Sequence, residues 1–212
     1  MPGFHRAEHV VPAGATSPRP VVVVLHGNFD RPEWECDAWT PVAAGRAFLL
    51  CPRGIPRRDV PASLDRWEYA GRAAIEREAL AARSALAARY PGFVDGGPDL
   101  WAGFSLGAIH LAPWAVEDPA RFSRIFLVEG GTERWDRARA RRFASGGGRK
   151  VAFACGRPGC RRQAERVAAL LARAGAEAKV AFAPVGHSYG GALTGPMREA
   201  FDWLVADDPR FR

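Results

Sequence analysis

The chain of 212 residues lacks a long apolar run. None of its hydrophobic stretches reaches the roughly 18 residues that a membrane-spanning helix requires, so we expect no membrane span. The N-terminus, MPGFHRAEHVVPAG, also lacks the apolar core of a signal peptide. The absence of a signal peptide slightly favours the cytoplasm.

Cysteine is scarce. The four cysteines, Cys36, Cys51, Cys155 and Cys160, do not have the Cys-x2-Cys spacing and the further ligands of a metal site, so we expect no metal and no cofactor. Cys155 and Cys160 bracket a four-residue turn that a disulfide could close. Buried free thiols are at least as common, so the pairings Cys36–Cys51 and Cys155–Cys160 both stay open.

Lysine is nearly absent, whereas arginine is abundant, and the formal net charge is +7. Such a charge favours an anionic substrate, a membrane surface or nucleic acid. However, the arginines are spread along the chain, and the densest run, 137–142, alternates with alanine as on a solvated helix face. No aromatic residues interleave with it, so we predict no nucleic-acid partner. The sequence does not indicate an oligomeric state.

Short apolar runs alternate with helical patterns along the chain. The runs are Val21–Leu25, Ala47–Cys51, Asp99–Phe104, Arg124–Glu129, Lys150–Cys155 and Ala178–Ala183. The helical patterns are Gly71–Arg89, Leu106–Val116, Arg134–Ala144, Arg161–Ala174 and Ala192–Val205. Continuous apolar runs of this length are typical of strands buried on both faces. The alternation predicts an α/β fold with a mainly parallel, twisted sheet and helices on both faces.

The length suits one domain over residues 1–212. Its core is expected over about residues 20–205, with residues 1–19 forming an N-terminal arm or an edge strand. In an open parallel sheet, ligands bind beyond the carboxyl ends of the strands. The residues that directly follow the predicted strands are therefore the candidates for function.

Gly103-Phe104-Ser105-Leu106-Gly107 follows the third run and opens a helical pattern. This strand–turn–helix context is the one that a nucleophile elbow requires. The two glycines let strand and helix pass closely, and the serine lies at a helix N-terminus that favours developing negative charge. We predict that Ser105 is a nucleophile; the alternative is a serine in a glycine-flanked turn.

Two further loops supply partners for such a serine. His187 lies in a glycine-rich loop after the last run and is the predicted general base. His26-Gly27-Asn28-Phe29 follows the first run, and the backbone N–H of Asn28 or Phe29 is expected to bind an oxyanion together with that of Leu106. His26 itself is expected to be structural.

These motifs resemble the α/β-hydrolases, in particular the small lid-less phospholipase/carboxylesterase and dienelactone hydrolase-like groups. The resemblance is carried by LHGNFD, by CPRGIP followed by Trp67-Glu68-Tyr69, by GFSLGA and by GHSYGG, and it covers roughly residues 20–204. It implies an α/β-hydrolase fold without a cap domain. It also implies a serine hydrolase with a Ser–His–acid triad that acts on an ester, thioester or related acyl bond.

The acid of that triad is missing from its usual place. The resemblance implies an acid just after the fifth run, where the sequence has Cys155-Gly156-Arg157-Pro158-Gly159-Cys160. Glu129 instead ends the fourth run, and a carboxylate buried there would need a partner such as a histidine N–H. We predict that Glu129 is the acid. A Glu129 paired with arginine, Glu133 or Asp136 as the acid, and a Ser–His dyad are the alternatives.

The substrate is less well defined. Trp67 and Tyr69 are expected to line the cleft or pack on the elbow, and no insertion is large enough for a helical cap, so we expect a shallow, open site. Arg53, Arg57 and Arg58 could hold a carboxylate or phosphate but could equally be exposed. The acidic loop 28–39 is interpreted as a helix start rather than as a metal site.

We therefore predict a serine hydrolase that cleaves a carboxylic ester or related acyl bond of a small molecule through an acyl-enzyme. One alternative is a non-catalytic binding protein with the same fold, which the missing acid favours. The other is an acyltransferase that uses the same triad.

Overall fold

A seven-stranded sheet runs through the centre of the computed structural model, which describes residues 3–212. The strands are β1 (Glu8–Val10), β2 (Val21–Leu25), β3 (Phe48–Cys51), β4 (Ile55–Pro56), β5 (Trp67–Glu68), β6 (Leu100–Phe104), β7 (Arg124–Val128), β8 (Lys150–Cys155) and β9 (Glu177–Phe182). Strands β4 and β5 form a separate hairpin. The order across the sheet is β1-β3-β2-β6-β7-β8-β9. All neighbouring strands are parallel except β1 and β3, which confirms the predicted sheet.

Helices cover both faces of this sheet, as predicted. They are α1 (Pro32–Ala43), α2 (Arg72–Arg89), α3 (Leu106–Glu117), α4 (Arg137–Ser145), α5 (Pro158–Ala174) and α6 (Thr194–Val205). Buried side chains of α2, α3, α4 and α5 belong to the core on one face, and those of α1 and α6 to the core on the other. The other elements within residues 3–212 are 3₁₀ turns of three residues each, so this part of the chain holds no cap domain.

The run VVVVL shows why the strands are apolar throughout. In β2, Val21, Val23 and Leu25 face one core, whereas Val22 and Val24 face the other, and each is at most 1% exposed. Alternating side chains therefore meet helices on both sides, and neither face can carry a polar residue without cost.

Two helices begin three residues away from the predicted start. Helix α4 begins at Arg137 rather than Arg134, because the Asp136 side chain accepts a hydrogen bond from the Arg139 N–H (2.8 Å) and caps the helix there. Helix α5 begins at Pro158 rather than Arg161, since proline fits the first turn of a helix, where its missing N–H costs nothing.

Two β elements lie outside the six predicted strands. Part of the N-terminal arm forms β1, which pairs with β3 at the edge of the sheet; Met1 and Pro2 of that arm lie outside the described residues. The hairpin β4–β5 has strands of only two residues, too short to produce a hydrophobic period in the sequence. Its second strand carries Trp67.

The four cysteines form two disulfides. Cys36 of α1 is bonded to Cys51 at the end of β3, and Cys155 at the end of β8 is bonded to Cys160 in the first turn of α5. The second bridge closes the loop that follows β8. Among the helices of residues 3–212, none has the length and apolar character that crossing a membrane requires.

The disulfides predict a mass difference. We expect the intact mass to rise by about four units on reduction, because each bridge takes up two hydrogens, and iodoacetamide to modify the cysteines only after reduction. Alkylation of unreduced, denatured protein would contradict one or both bridges. Disulfides persist in oxidising compartments, so the expected result favours such a compartment over the cytoplasm.

Candidate active site

Ser105 sits in a strained turn between β6 and α3. Its φ of 47° and ψ of −108° lie in a region that residues other than glycine rarely adopt. A Cβ on Gly103 would lie 2.6 Å from the carbonyl carbon of Gly107, and one on Gly107 would overlap the backbone of Leu25. The two glycines are therefore needed for strand and helix to pass each other, and the turn between them carries Ser105.

His187 and Glu129 form a hydrogen-bonded chain with Ser105. The Ser105 Oγ lies 2.9 Å from Nε2 of His187, and Nδ1 of His187 lies 2.9 Å from Oε2 of Glu129. With the proton on Nδ1, His187 donates to Glu129 and accepts from the serine hydroxyl. Ser105 follows β6, Glu129 follows β7 and His187 lies in the loop after β9, so the structure brings together the three residues proposed from the sequence.

The chain turns sharply at Glu129, which has a φ of 50°. A Cβ on Gly130 would lie 2.6 Å from the carbonyl oxygen of Ser105, and one on Gly131 would lie 2.6 Å from that of Ala108. The two glycines after Glu129 thus let the β7 loop press against the elbow and the start of α3. This close approach brings the backbone that follows Glu129 against the elbow that carries Ser105.

The loop after β8 holds the Glu129 carboxylate. Oε1 accepts hydrogen bonds from the backbone N–H of Gly156 (2.6 Å) and of Arg157 (2.8 Å), while Oε2 accepts from Nε of Arg157 (2.6 Å) as well as from His187. Burial raises the pKa of Glu129, but the hydrogen bonds from His187 and from the loop together bring its pKa below the ordinary value. Glu129 is therefore ionised at neutral pH.

Gly156 and Arg157 were not proposed as site residues from the sequence. They occupy the place where the resemblance implies an acid, and they supply donors instead of a carboxylate. The sequence signal for them was the missing acid after the fifth run, because a loop that carries no carboxylate of its own can donate hydrogen bonds to the carboxylate on the neighbouring loop.

On the other side of Ser105, Leu106 is the first residue of α3, and its N–H belongs to the helix donors that have no intrahelical acceptor. The N–H of Phe29 donates to the carbonyl oxygen of Trp67 (3.1 Å) and is therefore already used. Within residues 3–212, no acceptor is found for the N–H of Asn28. Of the two alternatives proposed from the sequence, the structure favours Asn28.

His26 and Tyr69 pack under the loop that carries Asn28 and Phe29. His26 is fully buried and stacks on Tyr69, with ring centroids 4.3 Å apart, and its Nε2 lies 2.9 Å from the carbonyl oxygen of Arg53. Burial lowers the pKa of His26. The Tyr69 hydroxyl donates to the carbonyl oxygen of Pro52 (3.1 Å) and accepts from the His26 N–H (3.0 Å). Tyr69 thus packs under the loop and is not exposed to a ligand.

The structure does not place Trp67 in the cleft. Its ring packs edge-on against His5 at 4.9 Å, lies under the Arg53 guanidinium at 5.0 Å, and donates from Nε1 to Asp65 (2.8 Å). The short hairpin turns this side chain toward the N-terminal segment. Trp67 contributes its backbone oxygen, which fixes the loop that carries Asn28.

Three other groups raised by the sequence do not join the hydrogen-bonded chain of Ser105, His187 and Glu129. Glu133 pairs with Arg134 (3.3 Å), and Asp136 caps α4. Arg53 pairs with Glu33, and Arg57 pairs with Asp59 and Glu68. In residues 3–212, the one group of acidic, histidine or cysteine side chains close enough to share a metal is Glu129 with Cys155 and Cys160, and that cysteine pair is bridged.

The cleft beside Ser105 has a volume of about 530 Å³. It opens between the elbow, the β7 loop and the start of α5, and its walls include Ile109, Thr132, Arg157 and Gln163. The side chain of His187 is 41% exposed. The site is therefore open to water.

Solved structures with the same architecture identify the fold. The Bacillus cereus carboxylesterase is 18% identical over 95% of this chain and 93% of its own, with a TM-score of 0.60. The acyl-protein thioesterase 2 of Zea mays is 16% identical over 99% and 100%, also at 0.60, and the S-formylglutathione hydrolase of Agrobacterium tumefaciens is 20% identical over 94% and 88%, at 0.59. The chain has the α/β-hydrolase fold. No family model matches the sequence, and neither does any curated protein.

In this chain the candidate acid follows β7, one strand before the position that the family resemblance implies. The register explains how both positions serve one histidine. Val128 pairs with Ala154, so the residues after β7 and β8 emerge side by side, and the Glu129 N–H donates to the carbonyl oxygen of Ala154 (2.9 Å). The two loops therefore start from neighbouring positions at the carboxyl edge of the sheet, beside His187.

Proposed function

We propose that this α/β-hydrolase is a serine hydrolase that cleaves a carboxylic ester or a related acyl bond through an acyl-enzyme. The observation that carries the proposal is the continuous chain of hydrogen bonds from Ser105 through His187 to Glu129, each 2.9 Å long. The strained elbow at Ser105 supports it. The structures named above, a carboxylesterase, a thioesterase and a hydrolase, support the same class of reaction.

Ser105 Oγ attacks the acyl carbon while Nε2 of His187 takes its proton. The ionised Glu129 holds Nδ1 protonated, which keeps Nε2 free as the base, and stabilises the imidazolium that forms. The backbone N–H groups of Leu106 and Asn28 bind the oxyanion. His187 then protonates the leaving group, and in the second half-reaction it activates the water that releases the acid.

The open cleft favours hydrolysis over acyl transfer. A transferase must keep water away from the acyl-enzyme, and enclosed sites do so. Here no cap covers Ser105 within residues 3–212, and His187 is substantially exposed. Water is therefore the acceptor that the site admits most readily. A non-catalytic binding protein would need neither the strained serine nor its contact with His187.

Labelling with a fluorophosphonate tests the proposal. We expect one covalent adduct in the intact mass, located on Ser105 by peptide mapping, because only an activated serine attacks this reagent rapidly. Ser188→Ala is the matched control, since Ser188 is next to His187 but bonds only within its own loop. The control should keep the adduct, and Ser105→Ala should lose it. Folded protein that forms no adduct would refute the proposal.

A further inference from the structure

One wall of the cleft carries hydrogen-bond donors for which residues 3–212 supply no acceptor. Arg157 lines the cleft with a side chain that is 54% exposed, and Glu129 engages only its Nε–H. A guanidinium has five N–H groups, so the four on Nη1 and Nη2 remain. Within residues 3–212 none of these four has a partner. The bond at Nε anchors the side chain and leaves the outer edge of the guanidinium free.

Gln163, on α5, adds two donors to the same wall. Its Oε1 accepts a hydrogen bond from Oγ1 of Thr132 (3.0 Å). Within the described part of the chain the Nε2 group has no acceptor. In this arrangement the free end of the amide is a donor.

The negative charges of the cleft do not use up these donors. The side chain of Glu129 is completely buried and already accepts four hydrogen bonds. Glu133 is paired with Arg134. Among the described residues that line the cleft, Arg157 is the one with a permanently cationic side chain. A ligand that satisfies this wall must accept several hydrogen bonds, and a negatively charged acceptor bonds most strongly to a guanidinium.

We propose that Arg157 and Gln163 bind a carboxylate group of the substrate, so that the enzyme acts on acyl esters that carry a free carboxylate. The two Nη groups present parallel N–H bonds that match the two oxygens of a carboxylate, and Nε2 of Gln163 meets a remaining lone pair. This inference rests on the proposed serine hydrolase function. It places the anion-binding role on Arg157, which lines the cleft and bonds to Glu129 only through Nε and its backbone N–H, rather than on Arg53 and Arg57, whose Nη groups bond to carboxylates.

Matched substrates test the inference. The 4-nitrophenyl monoesters of succinic, glutaric and adipic acid each carry a free carboxylate at a different distance, and their methyl-capped counterparts are neutral and almost the same size. After subtraction of the uncatalysed rate, we expect kcat/KM for the best charged ester to exceed that of its neutral counterpart about ten- to hundred-fold, mainly through a lower KM. A neutral ester that is cleaved as well as every charged one would overturn the inference and leave the hydrolase intact.

Two arginine variants localise the effect. Arg157→Met should reduce the ratio of charged to neutral ester to near one, while the loss of its bond to Glu129 lowers kcat for both esters. Arg161→Met is the matched control, because Arg161 is exposed, pairs with Glu165 and does not line the cleft. It should keep the wild-type ratio. An unchanged ratio in folded Arg157→Met would overturn the role of Arg157.

Protection from labelling gives a readout that does not need turnover. Adipate should slow fluorophosphonate labelling of Ser105 in the wild type and not in Arg157→Met. Inorganic phosphate that protects as well as adipate would overturn the assignment to a carboxylate. Absence of any adduct in the unprotected wild type would instead refute the hydrolase proposal, and this inference with it.

Discussion

Ser105→Ala is expected to lower kcat for ester hydrolysis about 10⁶-fold, to the level that binding and oxyanion stabilisation alone support. Alanine removes one atom, the Oγ that contacts His187 at 2.9 Å, and keeps the Cβ in the strained turn. The variant should therefore fold as the wild type does. The measurement is the steady-state rate with a 4-nitrophenyl ester, together with a thermal melt.

The loss of kcat in Ser105→Ala should not become larger when the proposed base, His187, is removed as well. If Ser105 and His187 act as one unit, Ser105→Ala with His187→Ala should be about as slow as Ser105→Ala alone, because residues of one catalytic unit are strongly non-additive. Ser188→Ala should stay close to the wild-type rate. If the loss of kcat in the double variant equalled the product of the losses in the two single variants, His187 would act independently of Ser105, which would contradict the proposed triad.

The sequence was informative where function depends on a short local pattern. The elbow could be predicted because Gly103 and Gly107 fix a strand–turn–helix within five residues. His187 could be predicted because it follows the last strand in a glycine-rich loop. The sheet could be predicted because strands buried on both faces must be apolar throughout, as in Val21–Leu25.

The remainder of the site depends on contacts between distant segments. The hydrogen bonds from Gly156 and Arg157 to Glu129 join loops 27 and 28 residues apart, and they exist because β7 and β8 pair in one particular register. No local pattern encodes that pairing. For the same reason the β4–β5 hairpin could not be predicted. The carbonyl oxygen of Trp67 in this hairpin accepts a hydrogen bond from the Phe29 N–H, and the hairpin turns the Trp67 side chain away from the cleft.

The Cys155–Cys160 disulfide restrains the loop that binds the displaced acid, Glu129. The Cys155–Cys160 bridge closes the loop whose Gly156 and Arg157 donate to Glu129. A carboxylate that is borne on one loop and bound by another needs both loops to hold their positions. The bridge restricts the second loop, while the close approach of Gly130 to Ser105 restricts the first.

Glu129→Gln is expected to lower kcat about 10³- to 10⁴-fold, because the amide does not hold Nδ1 of His187 protonated and leaves the imidazole in the wrong tautomer for a base. Glu133→Gln is the matched control, since Glu133 lines the same cleft, was an alternative acid and pairs only with Arg134. It should stay within a few-fold of the wild type. A larger loss in Glu133→Gln than in Glu129→Gln would transfer the role of acid to Glu133.

The pH dependence of Tm shows whether Glu129→Gln acts by removing the negative charge of Glu129 or by disturbing the packing around it. The pKa of Glu129 is lower in the folded protein than its ordinary value, so ionised Glu129 stabilises the fold above the ordinary glutamate pKa of about 4.3. That stability is lost as the pH falls through the lower pKa of the folded state. The difference in Tm between the wild type and Glu129→Gln should therefore be largest at neutral pH and shrink below about pH 4. A difference that stays constant with pH would mean that glutamine disturbs packing, and the activity loss would then not measure the charge of Glu129.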